Sequence, residues 1–199
     1  MTRRLAQLLI GLWLFGISLA MVIRSGLGNA SWDVLHQGLA NHLPITIGQA
    51  VILMSLLVLL FWIPLREIPG VGTLLNAVVV GYSIDVSLGW LSTPRDLWLR
   101  VVLLLVGIVL NGLATGLYIG ARLGSGPRDG LMTGLHRRTA LPIGLVRWGL
   151  EITVVVLGWL LGGVVGVGTL VFAFAIGPLV QVFLPICTVP GDEGVKAAS

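Results

Sequence analysis

A chain of 199 residues with 56% hydrophobic and only 10% charged residues lies far below the roughly 25% charged residues of a soluble domain. That composition excludes a water-facing globule. The net charge of +4 comes mostly from arginines in loops, which reads as membrane topology and not as nucleic-acid binding. Cys187 is the sole cysteine, so an internal disulfide and a paired-cysteine zinc site are both excluded.

The first element, Met1 to Ile23, carries Arg3 and Arg4 before an apolar stretch, but Met21-Val22-Ile23-Arg24 offers no small-residue cleavage site. It is expected to be retained as the first helix. Apolar runs of about 20 residues mark bilayer-spanning helices, and six are predicted: Leu5–Ile23, Ile47–Leu65, Gly70–Leu91, Leu97–Ile119, Ile143–Gly162 and Gly166–Ile186. No stretch remains for a separate soluble domain, so residues 1–199 form one membrane domain with a short cytoplasmic tail at 187–199. The segments Ser31–His42 and Pro127–Arg138 are too short and polar to cross alone and are expected to be half-helices or re-entrant hairpins.

With the N-terminus inside, cytoplasmic segments collect Arg3, Arg4, Arg66, Arg122, Arg128, Arg137, Arg138 and Lys196, whereas the outer loops hold Arg24, Arg95 and Arg100. The bias places both termini in the cytoplasm. Arg147, at the inner end of the fifth span, agrees with it.

A shift of 96 residues superposes one half of the chain on the other without a gap from Gly16 on Gly112 to Trp90 on Ile186. Leu27-Gly28 falls on Leu123-Gly124, Asp33 on Asp129, and Ile47-Gly48 on Ile143-Gly144. Gly70-Val71-Gly72-Thr73-Leu74 falls on Gly166-Val167-Gly168-Thr169-Leu170, and Gly81 on Gly177. Leucines could match by chance in so apolar a chain; an aspartate, a threonine and a series of glycines in register do not. The copies span about residues 5–91 and 97–186. Three spans per copy invert the second relative to the first, an architecture recurrent in secondary transporters with midplane sites at the repeat interface. The expected fold is therefore all-α, six spans in two inverted three-helix repeats, each with a half-helix.

Chemistry-bearing residues concentrate in three places. Gly124-Ser125-Gly126-Pro127-Arg128-Asp129 reads as a loop delivering a helix, with Pro127 suited to the first helical position and Asp129 in the first turn, against the positive end of the dipole. Gly28 and Asp33 repeat the pattern. These aspartates either bind an ion or orient a substrate, or simply cap their own half-helices. Arg147 and Glu151, four apart, share one face of the fifth span. A charge at that depth costs about 2.5–3.5 kcal/mol, and the first-copy counterparts are Val51 and Ser55, so the fold does not require them. Coupling or substrate anchoring is one reading, an intrahelical ion pair that eases insertion the other. Asp85, opposite Gln181 in the second copy, could line a cavity, as could Asn76 and Asn111, for which interhelical packing is the preferred role. The binding set expected from these arguments is Asp33, Asp129, Arg147, Glu151, Gly28, Gly124, Arg128 and Asp85. No catalytic set, metal ligand cluster or cofactor motif is read: His36, His42 and His136 all lie in the half-helix segments, and Gly-Val-Gly-Thr-Leu has no βαβ context.

Gly116-Leu117-Tyr118-Ile119-Gly120 with Leu123 to Met132, Ser31-Trp32-Asp33-Val34-Leu35-His36-Gln37-Gly38-Leu39, and Gly166-Val167-Gly168-Thr169 together resemble the YczE-like proteins of the YczE/YyaS/YitT group of bacterial integral membrane proteins. The resemblance covers nearly the whole chain. It implies a multi-spanning protein of the bacterial cytoplasmic membrane, with transport the usual suggestion and no ligand residues to carry over. The expected function is a secondary-transporter-like carrier of a small molecule or ion, not an enzyme. The alternatives are a non-transporting module that assists another membrane complex and, third, a channel. The expected partners are the lipid bilayer and a small solute, with a homodimer suggested by the shortness of the chain and no nucleic acid.

Overall fold

The computed structural model describes residues 2–189, which leaves Lys196 and most of the expected tail outside the described residues. Among the described residues eight helices follow one another: α1 (Thr2–Ser25), α2 (Ser31–His42), α3 (Ile47–Leu65), α4 (Val71–Trp90), α5 (Leu97–Gly120), α6 (Pro127–Thr139), α7 (Ile143–Leu160) and α8 (Val167–Cys187). There is no strand among the described residues. All helices except α2 and α6 are long and apolar enough to cross a membrane, so the protein is an all-α membrane protein with six candidate spans. At about 1.5 Å per residue, the 12 residues of α2 and 13 of α6 fall well short of a hydrocarbon core of about 30 Å.

The 96-residue shift recurs in the helix starts: α2 and α6, α3 and α7, and α4 and α8 each begin at equivalent residues. Local chemistry fixes these starts. Thr46 accepts from the Gln49 amide while the Gln49 side chain accepts from the Thr46 amide, a reciprocal cap that opens α3. Thr73 and Thr169 close the corresponding turn back to Gly70 and Gly166.

α1 and α5 form the central pair and run antiparallel. Gly11 faces Tyr118, Asn111 Nδ2 donates to Ser18 Oγ at 2.8 Å, and Arg100 Nε donates to the Ser25 carbonyl at 2.6 Å. Around this pair the contacts come in matched sets. α4 lies on α1 where Gly16 meets Ser83, and α8 lies on α5 where Gly112 meets Leu179, the equivalent residues. α6 packs on α3 through Gly130 under Trp62, and α2 packs on α7 through Gly158 against Val34 and Leu35. The loops exchange equivalent hydrogen bonds: Gly72 N to the Leu123 carbonyl and Gly168 N to the Leu27 carbonyl, both 2.8 Å. Gly28 (φ +125°) and Gly124 (φ +133°) make those crossings, each in a backbone region closed to L side chains.

One pair breaks the pattern. α3 and α4 are packed face to face, whereas α7 and α8 are not.

Candidate functional site

Where the eight helices converge there is a cavity of about 420 Å³, to which every helix contributes lining residues. The first turns of both half-helices reach it, through Ser31 and Trp32 of α2 and through Pro127, Arg128 and Asp129 of α6. Non-helical backbone at membrane depth is tolerated where it is buried in protein or lines a cavity, and the ends of the two loops, buried at Gly28, Asn29 and Ala30 and at Gly126, meet that condition.

Four of the expected site residues come together on this cavity: Arg128, Asp129, Arg147 and Glu151. Asp129 Oδ2 accepts a 2.8 Å hydrogen bond from the hydroxyl of Tyr118 on α5. Tyr118 is buried, so this bond fixes the carboxylate against the wall. The Arg128 guanidinium stacks over the Trp32 ring, 5.2 Å from its centre, within reach of a cation–π attraction. Arg147 Nε donates to Glu151 Oε1 at 3.0 Å along one face of α7. The cavity thus carries two guanidinium groups and two carboxylates on a largely apolar wall, with Ser55, Asn76, Thr115 and Gln181 adding neutral polar groups.

The other four expected residues are placed elsewhere. Asp33 is fully buried and does not line the cavity; Oδ1 lies 2.9 Å from His36 Nδ1, and Oδ2 has no hydrogen-bond partner among the described residues. Asp85 caps the start of α3, accepting from Thr46 Oγ1 at 2.5 Å and from Gly48 N at 2.8 Å. Its second-copy counterpart, Gln181, is the one on the cavity. Gly28 and Gly124 serve the loop crossings, against Thr169 and Thr73. Asn76 and Asn111 both reach the cavity wall, Asn111 while also bonding Ser18.

Sequence reasoning missed Tyr118 and Trp32. The signal available for Tyr118 was its counterpart, Val22: a phenol where the other copy has an aliphatic residue marks a position that the fold does not require. The two aspartates also differ in partner, His36 for Asp33 and Tyr118 for Asp129, because the residue equivalent to His36 is Met132 and that equivalent to Tyr118 is Val22.

These features define a multi-pass membrane protein with a polar central cavity. The comparison with known families places it further: residues 2–185 match a family of unknown function, DUF6198, and the chain belongs to this YczE-like family. It is 45% identical to an uncharacterized protein of Haemophilus influenzae over 92% of this chain and 84% of the relative. It is 34% identical to the uncharacterized membrane protein YczE of Bacillus subtilis over 86% of this chain and 80% of the relative. The uncharacterized protein YyaS of the same organism is 30% identical over 89% and 90%. No solved structure matches the chain at a significant level.

Proposed function

We propose that this protein is a small secondary carrier built from two inverted copies, with its solute site in the central cavity and both termini in the cytoplasm. The observation that carries the reading is the cavity itself, lined by all eight helices and bearing Arg128, Asp129, Arg147 and Glu151. Charges at membrane depth are expensive and are retained where they line a pathway or bind a ligand. The antiparallel course of α1 and α5, which are equivalent segments of the two copies, supports inversion. A cavity with equal numbers of cationic and anionic groups suits a small polar solute or an ion taken up with a proton. Neither Arg147 nor Glu151 has a charged counterpart in the first copy, which favours work on a solute over a duty to the fold.

The test is accumulation in liposomes containing the purified protein, incubated with a mixture of amino acids, small carboxylic acids and amines under an imposed pH gradient. Vesicle contents are read by mass spectrometry. At least one solute should be enriched by the wild-type protein and not by Asp129→Asn or Glu151→Gln variants that remain folded. Enrichment of nothing, or equal enrichment by both variants, would remove the reading.

A further inference from the structure

Of the helix packings made at glycines described above, each has its equivalent 96 residues away except one. In the first copy, Gly48 of α3 lies directly on Gly81 of α4: a methyl group built on either glycine would overlap the carbonyl oxygen of the other. Asp85 fastens the same junction by accepting from Thr46 and from the Gly48 amide. In the second copy the equivalent glycines, Gly144 of α7 and Gly177 of α8, have nothing within 4 Å of an added methyl. The residues equivalent to Thr46 and Asp85 are Pro142 and Gln181, and Gln181 lines the cavity together with Gly177. Arg147 and Glu151 line it from α7. At this level the space between α7 and α8 is open to the cavity and the matching space between α3 and α4 is filled; deeper in, both pairs line the cavity, α3 and α4 through Val51, Ser55, Asn76 and Val80.

Glycine at a helix contact lets two backbones approach. At Gly48 and Gly81 the approach is made; at Gly144 and Gly177 the surfaces suited to it stand apart. A pair of homologous units held in two different arrangements provides two discrete states for each unit, and exchanging them between the copies gives a second conformation built from contacts already present in the first. We infer that α3–α4 and α7–α8 are alternating gates: in the second state α7 closes on α8 at Gly144 and Gly177, while α3 parts from α4 at Gly48 and Gly81. This inference rests on the inverted-carrier reading and supplies its access mechanism. With the termini in the cytoplasm, the closed Asp85 junction faces outward and the open Gln181 junction faces the cytoplasm, so the present arrangement is inward-open. Asp85 is then the latch of the outer gate. No charged latch exists at Gln181, so the inner gate is held by helix contact with only a neutral amide at that position.

Paired cysteines on a Cys187→Ala background test the inference without a substrate. One protein carries Thr46→Cys with Asp85→Cys across α3–α4; another carries Pro142→Cys with Gln181→Cys across α7–α8. Oxidative cross-linking in membranes is read as protection of both thiols from a maleimide–polyethylene glycol mass tag. The 46/85 pair should cross-link, and the 142/181 pair should cross-link as well, because α7 and α8 close in the second state. Adding Gly177→Leu, whose Cβ meets nothing within 4 Å in the present arrangement, should abolish the 142/181 cross-link and leave that of 46/85, which also shows that the variant is folded. Failure of the 142/181 pair to cross-link while both thiols remain reactive would overturn the inference, as would cross-linking that persists with Gly177→Leu. The carrier reading fails separately: closure of both pairs without flux of any solute would leave a two-state protein that does not transport.

Discussion

The guanidinium of Arg128 lies 5.2 Å from the centre of the Trp32 ring, and these two residues occupy equivalent positions in the two copies, 96 apart in the sequence. Residues that are equivalent and in contact must sit beside whatever axis relates the copies. The Trp32–Arg128 stack therefore marks the centre of the molecule, where the first turns of α2 and α6 approach each other across the cavity. A perfect repeat would have placed two tryptophans or two arginines there. Divergence to one of each places a cation over an aromatic face.

A double-mutant cycle measures that attraction. Trp32→Ala and Arg128→Ala should each destabilise the protein in detergent, and together by less than their sum, the coupling amounting to about 0.5–2 kcal/mol. Denaturant or thermal unfolding of the four proteins provides the values. Strict additivity would mean that the stack is a coincidence of packing.

Asp129 and Tyr118 form the second pair to test. Removing the hydroxyl in Tyr118→Phe deletes one hydrogen bond to a carboxylate and should cost about 1.5–3 kcal/mol. Asp129→Asn keeps an oxygen that can accept from Tyr118, so its cost in stability should be smaller. Solute accumulation should rank the other way, lost in Asp129→Asn and reduced in Tyr118→Phe, because the charge belongs to the site and the phenol only positions it. A stability profile and an accumulation profile that rank alike would reduce Asp129 to a structural role.

Much of this arrangement is legible in the sequence because a duplicated chain supplies its own internal comparison. The helix starts at Ser31 and Pro127, Ile47 and Ile143, and Val71 and Val167 follow from the shared glycine, threonine and aspartate pattern, and the two half-helices from their length and polarity. Asp85 was less legible. Its position within a span suggests a cavity, yet the end of α4 that carries it lies beside the start of α3, where unpaired amides draw a carboxylate into capping. The separate fates of Asp33 and Asp129 depend on His36 and Tyr118, which stand three and eleven residues away with no pattern linking them. The open α7–α8 junction was not legible at all: Gly48 and Gly144, like Gly81 and Gly177, are identical residues, and identity cannot say which copy is packed.

That same identity sharpens a stability prediction. Gly48→Ala and Gly81→Ala force a methyl against a facing backbone and should cost about 1–3 kcal/mol by overpacking. Gly144→Ala and Gly177→Ala meet open space and replace a poor helix former with the best one, so they should be neutral or stabilising by up to about 1 kcal/mol. Melting temperatures of the four purified variants decide the matter. Equal losses in both copies would mean that α7 and α8 are packed in the purified protein as α3 and α4 are.

Arg147 and Glu151 make a different demand, that they be changed together. Exchanging both for their first-copy counterparts, as Arg147→Val with Glu151→Ser, removes two charges and leaves none unpaired. Arg147→Val alone leaves Glu151 without its cation at a depth where a lone charge costs about 2.5–3.5 kcal/mol on insertion scales. The single variant should therefore give a lower yield of folded, inserted protein than the double variant, while both should fail to accumulate solute. Fluorescence size-exclusion profiles of tagged proteins measure the yield. A double variant that still accumulates solute would remove these two residues from the site.

The orientation of the two copies is the remaining prediction, and it bears on every argument from inversion. The C-terminal ends of α2 and α6 are exposed at His42 and Thr139, and the antiparallel course of α1 and α5 directs them to opposite ends of the molecule. The arginines beside Thr139, with Arg137 paired to Glu67 and Arg138 donating to the Pro64 carbonyl at 2.8 Å, favour the cytoplasmic side for α6. On a Cys187→Ala background, His42→Cys should react with a membrane-impermeant maleimide added to intact cells. Thr139→Cys should react only in inside-out vesicles. Reaction of both from one side would make the copies parallel, and the carrier reading would then lose the symmetry on which its alternating gates depend.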